Sequence, residues 1–337
     1  MLNDLYVFGT PGKVGGAATR IHDLLPMLKD SFHIQVVLPH ISHLHDRWVT
    51  QYLDGLGIRY FLKKDLPRHA DGVALGICDV DFFTSGTAQR IRQAGLKLVW
   101  SNEMSWAFEG EAAAAQAGLI DRVLFVSELQ QQKFQDIYRG TDYQLIPNYI
   151  APERFACVER ANPTFTIGRL SRADTVKYPA DFPVFYEELG LKEVKYRVQA
   201  WSDDLRKIYR WHRFGPEWEL LPANKVPADR FLQSLDLFVY PLGHRVVESW
   251  GRSAVEAMLT GCVPLVPAGH HFHQLLEHEK SGFICACFAE FKHYVQALYR
   301  DNRLRRQLGR QAAQHARTVL CNRGLHQAMW IQALTFA

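Results

Sequence analysis

The feature that most constrains the fold of this chain is an alternation of short apolar runs with helical patterns. Strand-like runs occur at residues 5–8, 33–38, 80–84, 96–100, 123–126, 144–146, 165–167, 195–200, 217–220, 237–240 and 263–266. Helical patterns, such as the amphipathic stretch 16–28, lie between them. Strands that alternate with helices are typical of βαβ units, in which the strands pair in parallel. The sequence therefore predicts an α/β protein with doubly wound sheets.

One segment interrupts this alternation. The stretch from Pro147 to Pro163 contains three prolines and little periodicity, which is typical of a linker. The length of 337 residues fits two domains of roughly 150 residues each. Because 47% of the residues are hydrophobic, the chain can fill two cores, and a disordered or fibrous protein is excluded. We therefore predict two domains that meet near residue 160.

The charge and the cysteine content exclude further classes of protein. Lys and Arg number 39 against 35 Asp and Glu, and the net charge of +4 is too small to indicate a nucleic-acid partner. No uncharged apolar run approaches the ~20 residues of a membrane-spanning helix, and the N-terminus lacks the pattern of a secretory signal. The six cysteines include no CxxC pair, so neither a disulfide framework nor a zinc site is predicted. We expect a reduced, cytoplasmic protein.

A glycine-rich turn lies between the first predicted strand and the first predicted helix. It contains Gly9, Gly12, Gly15 and Gly16. Glycines there allow close approach of a ligand, and the free N–H groups of a helix N-terminus attract an anion. A tight turn without a ligand explains the same pattern equally well. The spacing is not GxGxxG and no acidic residue ends the second strand, which disfavours a nicotinamide dinucleotide.

Two glutamates flank the start of a predicted helix in the second half of the chain. Glu248 lies in a loop after a strand, the helix opens near Gly251, and Glu256 falls about one turn into it. The free N–H groups of this helix start could hold a phosphate, and the carboxylates suit the hydroxyls of a sugar or a ribose. A surface glutamate and a glutamate that complements the helix dipole would give the same spacing.

This segment resembles the Glu-x7-Glu signature of retaining glycosyltransferases of the GT-B fold, in particular family four. The resemblance extends in order over roughly residues 5–315. The similar segments are residues 11–17, 126–127, 146–148, 168–172 with Lys177, 235–241 and 256–266. It implies a GT-B fold, with two Rossmann-like domains that face a cleft. The acceptor-binding domain would span residues 1–160, the nucleotide-sugar domain 161–315, and a crossover helix in 316–337 would pack on the first domain.

The resemblance also implies a reaction. The family moves a sugar, with retention and without a metal or other cofactor, from a nucleotide diphosphate sugar to a hydroxyl acceptor. UDP is favoured because it is common in the family. The implied acceptor is a glycan, a lipid-linked sugar or a small molecule, and contact with the inner face of a membrane stays an option. A non-catalytic nucleotide-sugar sensor or partner subunit of the same fold is the alternative.

The family's functional residues can be carried over to matching positions. Arg169 and Lys177 would grip the diphosphate and neutralise the charge of the leaving group, and Arg172 could share that role. Glu248 would lie at the transferred sugar and Glu256 at the ribose hydroxyls. The other positions are Trp250, Gly251 and Arg252 at the distal phosphate through their N–H groups, Gly15 and Gly16 beside the diphosphate, and Pro222 beside the nucleobase.

The chain departs from the family pattern in several places. A histidine often lies near the point of transfer, but residues 101–104 here read Ser-Asn-Glu-Met, so Glu103 or Asn102 could take its place. The glycines that follow the second strand of the donor domain are missing, and Ala200 stands there. The late GGxxE element reads His-His-Phe-His-Gln at residues 270–274. These departures retain Arg169, Lys177, Glu248 and Glu256, and they leave open a narrowed choice of donor.

Two patterns suggest a metal site but lack the context that such a site needs. Asp79-Val80-Asp81 resembles the DxD signature of the other glycosyltransferase fold, yet it lies at a strand of the first domain. Histidines 40, 43 and 45 and histidines 270, 271 and 273 form clusters without carboxylate or Cys partners nearby. We therefore predict no metal site, and we expect the histidines to line the cleft.

Overall fold

The computed structural model describes residues 2–13, 15–160 and 162–336 and divides into two compact units. The first unit contains the chain up to Ile150 together with the segment from Arg323 onward, and the second contains Ala151–Asn322. Each unit is built on its own parallel sheet covered by helices. The prediction of two doubly wound α/β domains is confirmed.

The first unit has seven described strands in the order β3-β2-β1-β4-β5-β6-β7, all paired in parallel. The strands are β1 (Asp4–Phe8), β2 (His33–Leu38), β3 (Arg59–Leu62), β4 (Val73–Ile77), β5 (Lys97–Ser101), β6 (Arg122–Phe125) and β7 (Asp142–Leu145). The helices are α1 (Gly16–Leu28), α2 (Ser42–His45), α3 (Arg47–Gly55), α4 (Thr87–Gln93), α5 (Glu111–Gln116) and α6 (Glu128–Phe134). The central strands are buried on both faces, which explains their continuous apolar runs.

One predicted strand of this unit is wrong. Residues 80–84 form turns rather than a strand, and the Val80 side chain is 67% exposed. The strand is instead β4, whose residues are all buried. Apolar composition alone does not separate a buried strand from an apolar loop that follows it, because both read as short apolar runs. The correction places Asp79 and Asp81 in the loop at the carboxyl end of β4, and not at the start of a strand.

The second unit has six described strands in the order β10-β9-β8-β11-β12-β13, again all parallel. The strands are β8 (Phe165–Leu170), β9 (Val194–Gln199), β10 (Trp218–Leu221), β11 (Leu237–Val239), β12 (Val263–Pro267) and β13 (Phe283–Cys285). The helices are α7 (Phe182–Glu187), α8 (Asp203–Ile208), α9 (Ala228–Gln233), α10 (Arg252–Leu259), α11 (Phe288–Arg300) and α12 (Asn302–His315). The sheet packs in an aromatic-rich core on helices of this unit.

The units divide at residues 150/151 and 322/323, and not at the predicted 160/161 and 315/316. Two arginines account for the difference. Arg160 donates to the carbonyls of Leu232 and Thr260, and Arg317 donates to the carbonyl of Leu259. These bonds fasten both flanking segments to the second unit, although the first is rich in proline. Ala161, where the second domain was predicted to begin, lies outside the described residues.

The last helix, α13 (Arg323–Ala333), packs on the first unit. Arg323 donates to the carbonyl of Pro26 at 2.9 Å, and Gln327 donates to that of Met27 at 3.0 Å. The ring of Trp330 is buried beneath the guanidinium of Arg20. Within the described ranges, no helix combines the length and the apolarity that crossing a bilayer requires.

Candidate functional site

The predicted donor residues come together at one edge of the second sheet. Strand β8 leads to Arg169 and then to a 3-10 turn that ends at Lys177. Its neighbour β11 leads to Tyr240 and then to the segment 241–251, called here the Glu248 loop, which ends at α10. Parallel neighbouring strands present their carboxyl ends at the same edge, where ligands bind in open α/β sheets. The sequence places these residues far apart, and the parallel pairing brings them together.

Lys177 and Glu248 form an ion pair at this edge. The Lys177 Nζ lies 2.7 Å from the Glu248 Oε2, and the two side chains are 12% and 14% exposed. The hydroxyl of Tyr240, which is almost fully buried, donates to the same carboxylate oxygen at 3.2 Å. A lysine ammonium and a buried phenol therefore fix the predicted sugar-binding carboxylate.

The protonation states follow from this environment. Burial by itself would lower the pKa of Lys177, but the neighbouring Tyr240 and the Glu248 carboxylate outweigh it, so the pKa lies above its ordinary value. Burial also raises the pKa of Tyr240, which stays a neutral hydroxyl. Lys177 is thus a cation near neutral pH, and it already has one anionic partner. An entering phosphate would compete with Glu248 for it.

The main chain of Glu248 is held separately from its side chain. Its N–H donates to the Nδ1 of His270 at 3.2 Å, and its carbonyl accepts a long bond of 3.5 Å from the N–H of His271. Both histidines belong to the segment after β12 that departs from the family pattern. The sequence predicts no specific contact for them, because nothing in the spacing of residues 248 and 270 indicates that the two residues touch.

The start of α10 is shaped by a glycine. Gly251 has φ +91°, and a Cβ there would lie 2.4 Å from the Cε1 of Phe272. Only glycine fits this left-handed, crowded position, which explains why Gly251 precedes the helix. Within the first turn, Arg252 Nε donates to Glu256 Oε1 at 2.9 Å. The side chain of Trp250 is buried, and its Nε1 has no hydrogen-bond partner among the described residues.

Arg169 is buried in the second unit and does not lie at the surface. It is fully buried, its Nη1 donates to the carbonyl of Pro241 at 2.7 Å, and its Nη2 donates to the carbonyl of Lys177 at 3.3 Å. Its guanidinium also lies 4.0 Å and 4.5 Å from the ring centroids of Tyr178 and Tyr240. In this arrangement Arg169 supports the Glu248 loop through Pro241 and the turn after β8 through Lys177. Its direct contact with a diphosphate stays a prediction, as does that of the exposed Arg172.

The segment predicted beside the nucleobase is held by a buried amide. Gln199, at the end of β9, donates to the carbonyl of Val226 at 2.9 Å and accepts from its N–H at 3.1 Å. This two-point contact fixes the loop that begins at Pro222, which is itself exposed. Ala200 follows Gln199 with φ +73°. The family carries glycine there, and the left-handed conformation supplies a physical reason.

We expect the substitution Ala200→Gly to stabilise the protein slightly. It relieves a left-handed conformation that a residue with a Cβ adopts at a cost, while adding the entropy of glycine to the unfolded chain. The net gain should be about 0.5 kcal/mol, measured as the free energy of unfolding in denaturant. The matched control Ala113→Gly, on the exposed side of helix α5, should lose about 1 kcal/mol. A loss of stability in Ala200→Gly as large as in this control would contradict the reasoning.

In the first unit, the predicted glycines form the start of α1. Gly15 has φ +85°, and a Cβ built on Gly15 or on Gly16 would meet no atom of the described residues within 4 Å. The hydroxyl of Thr19 donates to the carbonyl of Gly15 at 2.7 Å and fixes this turn. Val14, in the middle of the predicted loop, lies outside the described residues. The turn therefore leaves open space above Gly15 and Gly16.

Glu103 lies in the loop after β5 and is paired with an arginine. Its Oε1 lies 2.5 Å from the Nη1 of Arg20, which is 1% exposed and also donates to the carbonyl of Ile146. Asn102, the other candidate at this place, is fully buried, and its amide donates to Trp106 and to Glu111 within the unit. Of the two predicted alternatives, the structure therefore places Glu103 in a charged pair and Asn102 in the packing of the loop.

The part of the chain that the structure describes contains no cluster of possible metal ligands. No group of at least three His, Cys, Asp or Glu residues lies close enough together there to hold an ion. In the DxD sequence, the carboxylate of Asp79 is paired with the ammonium of Lys63.

Comparison with protein families identifies one segment. Residues 221–315 match the model of the family described as glycosyl transferases group 1. This segment contains Glu248, Glu256 and the histidines after β12, but neither Arg169 nor Lys177. The sequence matches none of the curated proteins with which it was compared.

Comparison with solved structures extends to the whole chain. The Anabaena protein HepE, crystallised with UDP and glucose, has 15% sequence identity and a TM-score of 0.75, covering 98% of this chain and 99% of that one. Sucrose-phosphate synthase from Thermosynechococcus elongatus has 12% identity and a TM-score of 0.71, with 98% of each chain covered. A glycosyltransferase from Rickettsia africae has 9% identity and a TM-score of 0.76, with 99% and 100% covered. The chain therefore has the GT-B fold of these proteins and, over residues 221–315, the sequence pattern of the group 1 glycosyl transferases.

Proposed function

We propose that this protein is a retaining, metal-independent glycosyltransferase that uses a nucleotide diphosphate sugar, with UDP as the favoured nucleotide. The proposal is supported by the family match over residues 221–315, by the fold, and by a similar structure crystallised with UDP and glucose. The observation that carries it is the Lys177–Glu248 ion pair beside the N-terminus of α10, at the carboxyl edge of β8 and β11.

The arrangement suits a diphosphate with an attached sugar. The ammonium of Lys177 and the N–H groups at the start of α10 supply positive charge for the phosphates. The carboxylate of Glu248 would accept hydrogen bonds from hydroxyls of the sugar, and that of Glu256 from hydroxyls of the ribose. Because Lys177 also pairs with Glu248, a bound diphosphate sugar would insert between a cation and a carboxylate that are already in place.

The reaction would proceed on one face of the sugar. The bond between the anomeric carbon and the phosphate oxygen breaks, and the diphosphate takes the electron pair. Lys177 and the α10 N–H groups stabilise the charge that develops on it. The acceptor hydroxyl forms the new bond from the side that the diphosphate leaves, and a phosphate oxygen takes its proton. The configuration of the anomeric carbon is then retained without a metal.

The acceptor would bind to the first unit. There the turn at Gly15 and Gly16 leaves open space, and Glu103 is held in place by Arg20. A sugar, lipid-linked or small-molecule hydroxyl acceptor fits these polar groups, with Glu103 in the position where the family often carries a histidine.

The test is a two-stage screen of the purified protein. Calorimetry against UDP-, GDP-, ADP- and dTDP-sugars should identify one base that binds, and we expect UDP. Turnover of that donor in EDTA, followed by analysis of the anomeric configuration, should show release of the nucleotide diphosphate with retention. Activity that disappears in EDTA and returns with Mn²⁺ would refute metal independence. Binding without turnover across an acceptor library would favour a non-catalytic sensor or partner subunit.

A further inference from the structure

The contact between His270 and the Glu248 loop has no counterpart among the predicted roles. The Glu248 N–H donates to the His270 Nδ1 at 3.2 Å, across elements that are 22 residues apart in the chain. The second main-chain bond of Glu248, from the His271 N–H, is longer at 3.5 Å. Two hydrogen bonds thus join the main chain of Glu248 to the segment after β12, and the bond to the His270 ring nitrogen is the shorter one.

The ring of His270 is itself held by packing. It is partly buried and meets the ring of Phe272 edge-on, with centroids 5.9 Å apart. Phe272 is fully buried and lies against Gly251, the last residue of the Glu248 loop. The same short segment therefore supports both the carboxylate-bearing residue and the residue that opens α10. A rotation of the His270 ring would remove the acceptor of the Glu248 N–H.

We propose that His270 is a positioning residue of the candidate site, and that its Nδ1 holds the Glu248 peptide so that the carboxylate meets Lys177 and Tyr240. This inference rests on the proposed function where it concerns catalysis, but the contact itself can be tested without it. The role goes beyond the family pattern, since that pattern has glycine at this position and glycine has no side chain to offer an acceptor.

The contact makes the site sensitive to pH, because an imidazole nitrogen accepts a hydrogen bond only when it carries no proton. Burial lowers the pKa of His270 below its ordinary value of 6.5, and the Glu248 carboxylate, itself paired with Lys177, opposes this in part. The neighbouring His271 has a pKa lowered to about 4 by burial and by the charge of His273. Near neutral pH His270 is therefore an acceptor. As the pH falls through its pKa, an N–H would face the N–H of Glu248, and the loop would be released.

The first experiment observes the contact directly. The amide resonance of Glu248 in a ¹H–¹⁵N spectrum of the full chain should shift with pH, with a midpoint below 6.5. In His270→Asn, whose side-chain oxygen can accept the same bond without titrating, the shift should disappear. In the control His293→Asn, an exposed histidine of α11, it should stay as in the wild type. A Glu248 resonance that ignores pH in the wild type, or that still titrates in His270→Asn, would overturn the proposal.

The second experiment measures the consequence for turnover, with UDP-glucose hydrolysis as the probe. At pH 8, His270→Asn should keep a kcat close to the wild type, whereas His270→Phe, which has no acceptor, should lose about tenfold in kcat. On the acid side, the wild type should lose activity with the midpoint seen for the Glu248 amide, and His270→Asn should not. A His270→Phe variant that is folded by circular dichroism and keeps the wild-type kcat would also overturn the role.

The two experiments separate this inference from the proposed function. A wild type that neither binds nor hydrolyses any nucleotide sugar counts against the glycosyltransferase, while the amide titration still decides whether His270 positions Glu248. A wild type that turns over UDP-glucose with an acid limb unchanged in His270→Asn supports the enzyme and refutes the positioning role.

Discussion

Lys177→Ala should lower kcat/KM for donor turnover by about 10²-fold, which corresponds to about 3 kcal/mol of transition-state stabilisation. The ammonium of Lys177 is the cation paired with Glu248 at the carboxyl edge of the sheet, and its raised pKa keeps it charged through the neutral range. Its removal withdraws positive charge from the leaving diphosphate and also frees the Glu248 carboxylate. Steady-state kinetics with the donor identified by the screen would measure the loss.

The matched control for this prediction is Lys195→Ala. Lys195 is an exposed lysine of β9, near the amino end of the strand and therefore at the opposite edge of the parallel sheet. It should keep the wild-type kcat/KM within a factor of about two. Equal kcat/KM in Lys177→Ala and in the wild type would show that Lys177 does not stabilise the leaving diphosphate, whichever nucleotide sugar the screen identifies as the donor.

Arg169→Ala should destabilise the second unit by about 4 kcal/mol. The substitution leaves the carbonyl of Pro241 without its donor and that of Lys177 with only a 3.4 Å bond from the Gly243 N–H, at about 1–3 kcal/mol for each lost bond, and it opens a hole between aromatic rings that face the guanidinium. For a unit of this size, we expect the midpoint of thermal unfolding to fall by about 10 °C. Activity should fall as well, because both loops of the site rest on this side chain.

The control is Arg230→Ala, whose side chain is 72% exposed on helix α9 and which should change the midpoint little. Arg169→Lys should recover only part of the stability, because an ammonium cannot reproduce a planar fork that donates to separate carbonyls. A variant Arg169→Ala with unchanged thermal stability and no activity would show that the guanidinium serves the diphosphate directly, as the family resemblance implies.

Much of the fold can be predicted from the sequence. Parallel strands that are buried on both faces require continuous apolar runs, and those runs lie in the printed sequence at β1, β11 and β12. The helix start at Gly251 could also be found, because glycine is favoured in a left-handed position such as the one that precedes this helix. The unit boundaries were harder, since the arginines that fasten residues 151–160 and 316–322 to the second unit act across long sequence separations.

The candidate site, like the fold, could be predicted from the sequence only in part. The residue types at positions 169, 177, 248 and 256 follow from the resemblance, whereas burial and pairing do not. The motif implies Arg169 as a ligand of the diphosphate, but the structure surrounds it with rings and carbonyls. It implies no role for His270, which nevertheless contacts the main chain of Glu248. Such contacts depend on where loops from different strands meet, and no local spacing encodes that.

Two α/β units with parallel sheets, and the residue types at one edge of the second sheet, can be read from the chain because period and apolar content are local properties. The folded arrangement is needed to know which of those residues pair, which are buried and which histidine supports the Glu248 loop. The physical reason is that ion pairs, ring packing and lowered pKa values depend on distances between strands that lie side by side in the sheet and far apart in the sequence.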